Sequence, residues 1–263
     1  MTNYILLLPP SEGKTKGGNE EITYRQVENS EQYNFFLSLQ FDRQEVYNKL
    51  RKSINELDEH SLEKLFGVKE KNLKESYESI LDMLNSPTLP SIERFSGVMF
   101  KAIHYFSLDL AEQERFNEST LFIDGMFGLI KPQDFLPEYK LKISSKFLDI
   151  NLTKFWKERL KGEFDSLFKE KFVLDILPEA HRKVVSKNEN TQYLEISFMD
   201  LKDGKYKLAG HNSKELKGEF VRYLVSFTTI SRKELEIFSH SSGYSYSSEL
   251  STKHKVVYLK SHN

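Results

Sequence analysis

The chain predicts an α+β fold: a single compact mixed α/β domain over residues 1–263, with a central sheet and a helix-hairpin-helix-like segment over about 42–84. Three observations predict it. YILLL at 4–8 is short, uninterruptedly apolar and closed by Pro9 and Pro10, which suits a buried strand feeding a loop better than a helix. Between 42 and 84, apolar residues recur at three- and four-residue spacing. TQYLEISFMDLKDGKYKLAG (191–210) alternates on both sides of Asp203-Gly204, the pattern of a β-hairpin.

Taken in order, the first strand leads into the polar loop SEGKTKGGNEE (11–21), at a strand's carboxyl end, where ligands bind in α/β sheets. Asp42 and Glu45 read as a capping box for a first helix carrying Val46, Leu50, Ile54 and Leu57. Ser61 then caps a second helix through Leu62, Leu65 and Phe66. Gly67 interrupts, and Leu73, Tyr77, Ile80, Leu81 and Leu84 mark a third. The two-proline stretch NSPTLPSIERFSG (85–97) reads as a linker or an internal loop. TLFIDGMFGLI (120–130) and KFVLDIL (171–177) read as buried strands or strand-to-helix turns. Strands interleaved with helices place the chain among mixed folds.

Composition narrows the function. Lysine and arginine total 38 against 39 aspartate plus glutamate, so no global charge draws the chain to nucleic acid or to an anionic membrane. An anion site must be a local cluster. The absence of cysteine excludes disulfides, thiolate nucleophiles, iron–sulfur ligation and thiolate zinc sites. The seven histidines are scattered without ligand spacing, so no metal or cofactor is expected. No apolar run reaches the ~18 residues of a membrane helix, and the N-terminal segment lacks the basic and cleavage regions of a secretory signal. The expectation is a soluble, cytoplasmic monomer without membrane association.

ILLLPPSEGKT (5–15) ends like a phosphate-binding loop, but the glycine required five residues before Gly13 is Leu8. No GxSxG elbow is present either. The unit SLEKLFGVKEKNLKESYESI (61–80) has the outline of a DNA-binding helix-hairpin-helix, in which hairpin amides face a phosphate. It carries one glycine, Gly67, where such hairpins have two, and ordinary helix packing explains the same pattern. Cations also recur at breaks between apolar segments: Lys14, Lys131, Arg182, Lys183, Lys214, Lys217 and Arg222. On a helix, Lys214 and Lys217 would lie near one face and could converge on a phosphate or carboxylate. The alternative for each alone is a solvated lysine.

Several blocks, in order, resemble the YaaA family of proteins associated with peroxide stress. LLPPSEGKT (7–15) resembles the family's N-terminal motif. DGMFGLIKPQDFLPEYKLKI (124–143) resembles its Gly-x-x-Gly, Arg-Pro-x-Asp and Pro-Tyr-Arg-Leu pattern. LTKFW (152–156), DILPEAHRKVV (175–185) and SKELKGEFVR (213–222) resemble further blocks. Carried over residue by residue, the resemblance points to Ser11, Glu12, Lys14, Thr15, Gly125, Gly128, Lys131, Pro132, Asp134, Tyr139, Glu179, Lys214, Lys217, Gly218 and Arg222. Lys131, Lys140 and Lys217 stand where arginine is usual, which keeps the charge but loses the bidentate fork. Met99 and Lys101 stand where tyrosine and glycine are usual. The resemblance implies a cytoplasmic protein with a mixed α/β fold, a positively charged cleft and a helix-hairpin-helix-like element, linked to DNA binding and to limiting iron-driven oxidative damage.

Two functions follow as expectations. One is a DNA-binding stress protein that reads backbone shape, distorted or branched DNA included, through Lys14, Lys69, Lys71, Lys131, Lys183, Lys214, Lys217 and Arg222, with Gly67 in the hairpin. The other is an enzyme acting on a small phosphorylated or carboxylated ligand, with Lys14, Lys131 and Lys214 as clamps and Glu12, Asp134 or Glu179 as acid or base.

Overall fold

An all-apolar pentapeptide needs cover on both faces, and the computed structural model, which describes residues 2–210 and 213–260 and, among these, every side chain except that of Lys71, buries all of YILLL at the centre of its main sheet. In chain order the strands are β1 (Tyr4–Leu8), β2 (Asn19–Thr23), β3 (Pro87–Pro90), β4 (Thr120–Asp124), β5 (Gly128–Ile130), β6 (Phe135–Leu136), β7 (Lys146–Phe147), β8 (Ile150–Asn151), β9 (Phe172–Asp175), β10 (Gln192–Lys202), β11 (Lys205–Leu208), β12 (Tyr244–Tyr246) and β13 (Lys255–Lys260). The main sheet runs β12-β13-β10-β9-β1-β4-β5, with β11 paired to the end of β10. Within it β1, β4, β9, β10 and β13 are parallel, while β5, β11 and β12 are antiparallel additions. Two small sheets, β2-β3-β6 and β7-β8, lie outside it.

The fold class therefore stands: a mixed α/β chain with a central sheet and one hydrophobic core that extends from Tyr4 to Tyr258. Leu6, Leu7 and Leu8 are completely covered, and burial of each side chain of this size contributes about 1.5–3 kcal/mol. No helix among the described residues is long and apolar enough to cross a membrane.

Local details differ from expectation. The first helix of the 42–84 segment is Gln40–Glu56, entered directly from a 3-10 turn at Leu37–Leu39, so Asp42 lies inside the first turn and caps nothing. Its carboxylate instead binds Arg159 Nε at 2.6 Å. The second helix is Glu59–Phe66, and its cap is Asp58, which accepts from the Ser61 amide at 2.8 Å. The stretch 85–97 is no linker: it holds β3 and the Ser91–Arg94 helix, and Arg94 is fully buried. TLFIDGMFGLI forms the β4–β5 hairpin, whose turn is held where Trp156 Nε1 donates to the Gly125 carbonyl at 2.9 Å.

The Ser213–Val225 helix crosses the Val98–Ile103 helix at Gly218. A Cβ at Gly218 would stand 2.4 Å from the Met99 carbonyl oxygen and 2.7 Å from the Ala102 Cβ. The two backbones approach this closely only with hydrogen at that position. Gly218→Ala is expected to destabilise the chain by at least ~2 kcal/mol in urea unfolding, although helix propensity alone favours alanine. A variant as stable as the parent would contradict this packing.

Candidate functional site

The chain leaves β1 for β4 on one side and later returns to β9 on the other, so the strand order reverses at β1. In such sheets the crevice for ligands opens beyond the carboxyl ends of the strands at the reversal. Leu8 pairs with Phe122 and Leu7 with Asp175, so β4 and β9 bring one aspartate each to that edge, Asp124 and Asp175, on either side of the Pro9-to-Lys14 turn.

The turn is stapled to the segment 93–96. Gly13 accepts from the Ser96 amide at 3.1 Å, Lys14 bridges to Phe95, and the Thr15 amide and hydroxyl donate to the Arg94 and Glu93 carbonyls, each at 2.8 Å. The Arg94 guanidinium donates in turn to the carbonyls of Thr15, Pro87 and Leu136. Gly13 itself has no positive φ, so it supplies no left-handed turn. The Gly13 carbonyl and the Thr15 amide are thereby committed to pairing, which fixes the turn.

What the staple does is aim Lys14. Its Nζ donates to the Ser11 carbonyl at 3.0 Å and sits 4.1 Å from the centre of the Tyr139 ring and 5.6 Å from that of Phe95. The Tyr139 hydroxyl donates to Asp124 Oδ2 at 2.6 Å, while Asp124 Oδ1 accepts from the amides of Met126 and Phe127 at 2.7 and 3.0 Å. Burial pushes Lys14 down to about 8; the Asp124 charge opposes this, and Arg94 and Lys140 add to it. The same burial raises Asp124, against Lys14 and its three hydrogen-bond donors, and raises Tyr139 well above its ordinary range.

Across β1, the second aspartate repeats the design. Asp175 Oδ1 accepts from the Leu177 amide at 2.7 Å, and Oδ2 accepts from the Tyr193 hydroxyl at 2.6 Å and from Arg182 Nε. Lys217 Nζ donates to the Ile176 carbonyl at 3.0 Å, and burial, then Arg182, push its pKa down. Between the two clusters His181 holds a buried Nδ1 without a hydrogen-bond partner among the described residues.

Burial drives His181 down to about 4, against the nearby Glu12 carboxylate. As pH falls below the ordinary imidazole range near 6.5, the unfolded chain takes up a proton that the folded one refuses. The resulting stability is present above pH 6.5 and is lost between 6.5 and 4. His181→Gln is expected to flatten the fall in melting temperature across that window; an unchanged profile would show that His181 does not cause it.

Lys14 opens on a cavity of about 260 Å³ lined by Glu12, Lys16, Asn72, Glu75, Ser76, Ser79, Glu138, Tyr139 and Lys140. The third helix of the 42–84 segment, Leu73–Leu81, supplies part of its wall. A larger cavity, about 530 Å³, lies at the opposite edge, against Asn3, Phe172 and Gln192 at the amino ends of β1, β9 and β10. Converging charge, not size, distinguishes a binding site, and on that ground the smaller cavity is the candidate.

Of the expected residues, Ser11, Glu12, Lys14 and Tyr139 come together here, and Lys217 lies along the same edge. Thr15 is in the staple. Lys131 is elsewhere: β5 runs back down the sheet, and Lys131 Nζ rests 4.1 Å from the centre of the Phe35 ring. Asp134 is structural, accepting from the amides of Phe35 and Lys131 at 2.9 and 3.0 Å, and Pro132 offers its carbonyl to the Ile92 amide. Arg222 is held by the Ile103 and His104 carbonyls and by Ser107. Lys183 pairs with Glu179 at 2.8 Å, and Lys214 is exposed on the first turn of its helix.

In the hairpin, Gly67 adopts φ +63° and closes the Glu59–Phe66 helix. Its amide and that of Val68 donate to the Glu63 carbonyl, and the Glu70 amide donates to the Glu63 carboxylate at 3.0 Å. These three amides are therefore satisfied within the turn. Lys69 lies on the exposed side of the turn, and the Lys71 side chain is outside the described residues.

Sequence reasoning passed over Asp124, Asp175, His181 and Tyr193. The signal was present: TLFID and FVLD are apolar strands that each end in aspartate. Among the described residues, no group of three or more histidine and carboxylate side chains is placed to hold a metal.

Comparison with known proteins gives the chain a family. The family model described as peroxide stress protein YaaA matches residues 4–250. The UPF0246 protein RAF_ORF0648 of Rickettsia africae is 26% identical over 218 residues, covering 81% of this chain and 88% of that one. A UPF0246 protein of Finegoldia magna is 28% identical over 221 residues, with the same coverage of both chains. UPF0246 protein MYPE6270 of Malacoplasma penetrans is 26% identical over 196 residues, covering 72% of this chain and 77% of its own. With a match across nearly all of its length, the chain belongs to the peroxide stress protein YaaA family.

Proposed function

We propose that the protein acts within the peroxide stress response as an enzyme on a small phosphorylated or carboxylated ligand, bound at the carboxyl edge of β1. The observation that carries this reading is the enclosed Lys14–Asp124–Tyr139 cluster opening on the 260 Å³ cavity. Three lysines and three glutamates line that cavity, a mixture that suits binding plus proton transfer better than uniform attraction to a polyanion. Lys14 and Lys140 serve as the anion contacts, and Glu12 as the exposed acid or base.

Thermal unfolding tests this against inorganic phosphate and a panel of small phosphorylated and carboxylated metabolites. A ligand present at a hundredfold excess over Kd adds about 2.7 kcal/mol, or about 5–10 °C for a chain of this size. The shift is expected in the parent and absent in Lys14→Met and Lys140→Met. A panel without any shift would overturn the reading.

A second reading, DNA binding that limits iron-driven oxidative damage, has one observation in its favour. The β10–β11 hairpin carries exposed Lys202, Lys205, Tyr206 and Lys207, and β10 continues to Lys202 from Glu195, the residue level with the end of β9. Cations with an aromatic side chain suit a nucleic acid, although Lys202 is partnered by Asp200 at 3.2 Å and Lys207 by Asp203 at 3.9 Å. Anisotropy titration against single-stranded, duplex and four-way-junction DNA at several salt concentrations tests it. Replacing the three lysines with alanine is expected to reduce the salt slope by roughly one unit for each phosphate that is no longer neutralised. Equal binding by parent and variant would remove the hairpin from the interface.

A further inference from the structure

We propose that Lys14 is a covalent nucleophile, whose amine forms an imine with a small carbonyl compound bearing a phosphate or carboxylate group. The inference rests on the binding site proposed above and adds a reaction to it.

The geometry is that of a chosen amine. Lys14 is held at the mouth of the cavity by the ring faces of Tyr139 and Phe95 and by the Ser11 carbonyl, and it makes no direct carboxylate ion pair among the described residues. Asp124, the buried carboxylate whose charge acts on Lys14, spends its oxygens on Tyr139, Met126 and Phe127. Lys16, by contrast, is exposed and paired with Glu75. The groups facing Lys14 from the surrounding elements are Asp124, Tyr139, Arg94, Lys140 and Glu12. Burial beside Arg94 and Lys140 leaves an appreciable part of this amine uncharged near neutral pH. Lys140, which makes no ion pair among the described residues, lines the same cavity and meets the ligand's anionic group.

The chemistry balances without an added reagent. The ammonium gives one proton to water or to Glu12, and the nitrogen lone pair adds to the carbonyl carbon, forming the N–C bond as the C=O π pair moves to oxygen. That oxygen takes up a proton while the nitrogen, now positively charged, gives one up, leaving a neutral carbinolamine. A further proton on its hydroxyl lets the C–O bond break, water leaves, and the nitrogen lone pair forms the protonated imine. One water is released for each imine formed. Glu12, in the same cavity, is placed to carry these protons.

Reductive trapping tests it on the intact protein. The chain is incubated with glyoxylate, and in parallel with pyridoxal 5′-phosphate, then treated with borohydride and mapped by peptide mass spectrometry. Lys14 is expected to be labelled about tenfold faster than exposed Lys16 and Lys74 at neutral pH, with a rate that climbs toward a plateau above pH 8, and Lys14→Arg is expected to lose that label alone. Inorganic phosphate is added both as competitor and, separately, as ligand in thermal unfolding. Stabilisation by phosphate with Lys14 labelled no faster than the exposed lysines overturns the imine and leaves the anion site standing. Neither stabilisation nor selective labelling overturns both. The parent protein alone carries the decisive comparison, so a poorly folded variant does not blunt it.

Discussion

Asp124→Ala is expected to cost about 3–5 kcal/mol, a large share of the 5–15 kcal/mol that holds a typical domain together. Asp124 is almost completely buried, and four groups depend on it: the amides of Met126 and Phe127, the hydroxyl of Tyr139 and the charge on Lys14. Removing the carboxylate strips partners from three buried donors and leaves an ammonium facing Arg94 and Lys140 with only Glu12 to offset them. Asp124→Asn keeps an acceptor for the amides but loses the charge and replaces the acceptor of the Tyr139 hydroxyl with an N–H donor, to which that hydroxyl can turn an oxygen lone pair, so its cost is expected to be about half as large. A double-mutant cycle with Lys14→Met isolates the ionic part: the loss caused by Asp124→Asn should shrink by more than ~1 kcal/mol when Lys14 is already uncharged. Urea midpoints at constant slope measure all four species. An Asp124→Ala variant within ~1 kcal/mol of the parent would mean that the cluster is solvated and not the enclosed site described above.

Arg94→Met is expected to approach the same magnitude, about 3–4 kcal/mol, and to weaken ligand binding at a distance. The Arg94 guanidinium is fully buried and donates to the carbonyls of Leu136, Pro87 and Thr15. Methionine fills much of the volume but leaves those carbonyls unpaired, which carries their full desolvation cost. Because one of them belongs to Thr15, the staple that aims Lys14 slackens as well. Arg94→Lys is expected to recover only part of the loss, since an ammonium cannot span three carbonyls as the planar fork does. The combined readout is unfolding free energy together with the labelling rate of Lys14. A large stability loss with unaltered Lys14 labelling would make Arg94 purely structural.

The physics of the site lies in one pairing of costs. Both aspartates at the sheet edge are held in apolar surroundings by backbone amides and a tyrosine hydroxyl, Asp124 with Tyr139 and Asp175 with Tyr193. Each has a cation close by, and the two cations are treated differently. Arg182 is tied directly to Asp175 and also lies 3.4 Å from Glu195, whereas Lys14 is left to a carbonyl and an aromatic face. The second cluster is braced by ion pairs, and the first leaves its cation to weaker contacts.

The elements themselves were legible in the linear chain, because each is specified by neighbours in sequence. YILLL suited a buried strand better than a helix, and it is a strand with all five residues covered. The alternation around Asp203-Gly204 named its own hairpin, and both turn residues take the positive φ such a turn needs. The three helices between residues 40 and 81 followed from their spacing, with errors confined to the caps, where Asp58 rather than Ser61 holds the second helix. Two prolines in 85–97 suggested a linker, yet the segment pairs with β2 and β6 and carries buried Arg94; pairing with distant strands is invisible to a local pattern.

The convergence of side chains was not legible, for the same reason. Lys14 and Lys131 each follow an apolar run and look equivalent in the sequence, but β5 is antiparallel to β4, so it carries Lys131 away from the edge where Lys14 stands. Asp124 and Asp175, 51 positions apart by subtraction, meet the same turn only because β4 and β9 flank β1 in parallel register. A chain of this composition commits itself to strands, helices and family through local periodicity and short motifs. Which of its many charges are enclosed, paired or left reactive depends on strand order, since desolvation acts on what surrounds a group in space and takes no account of what precedes it in sequence.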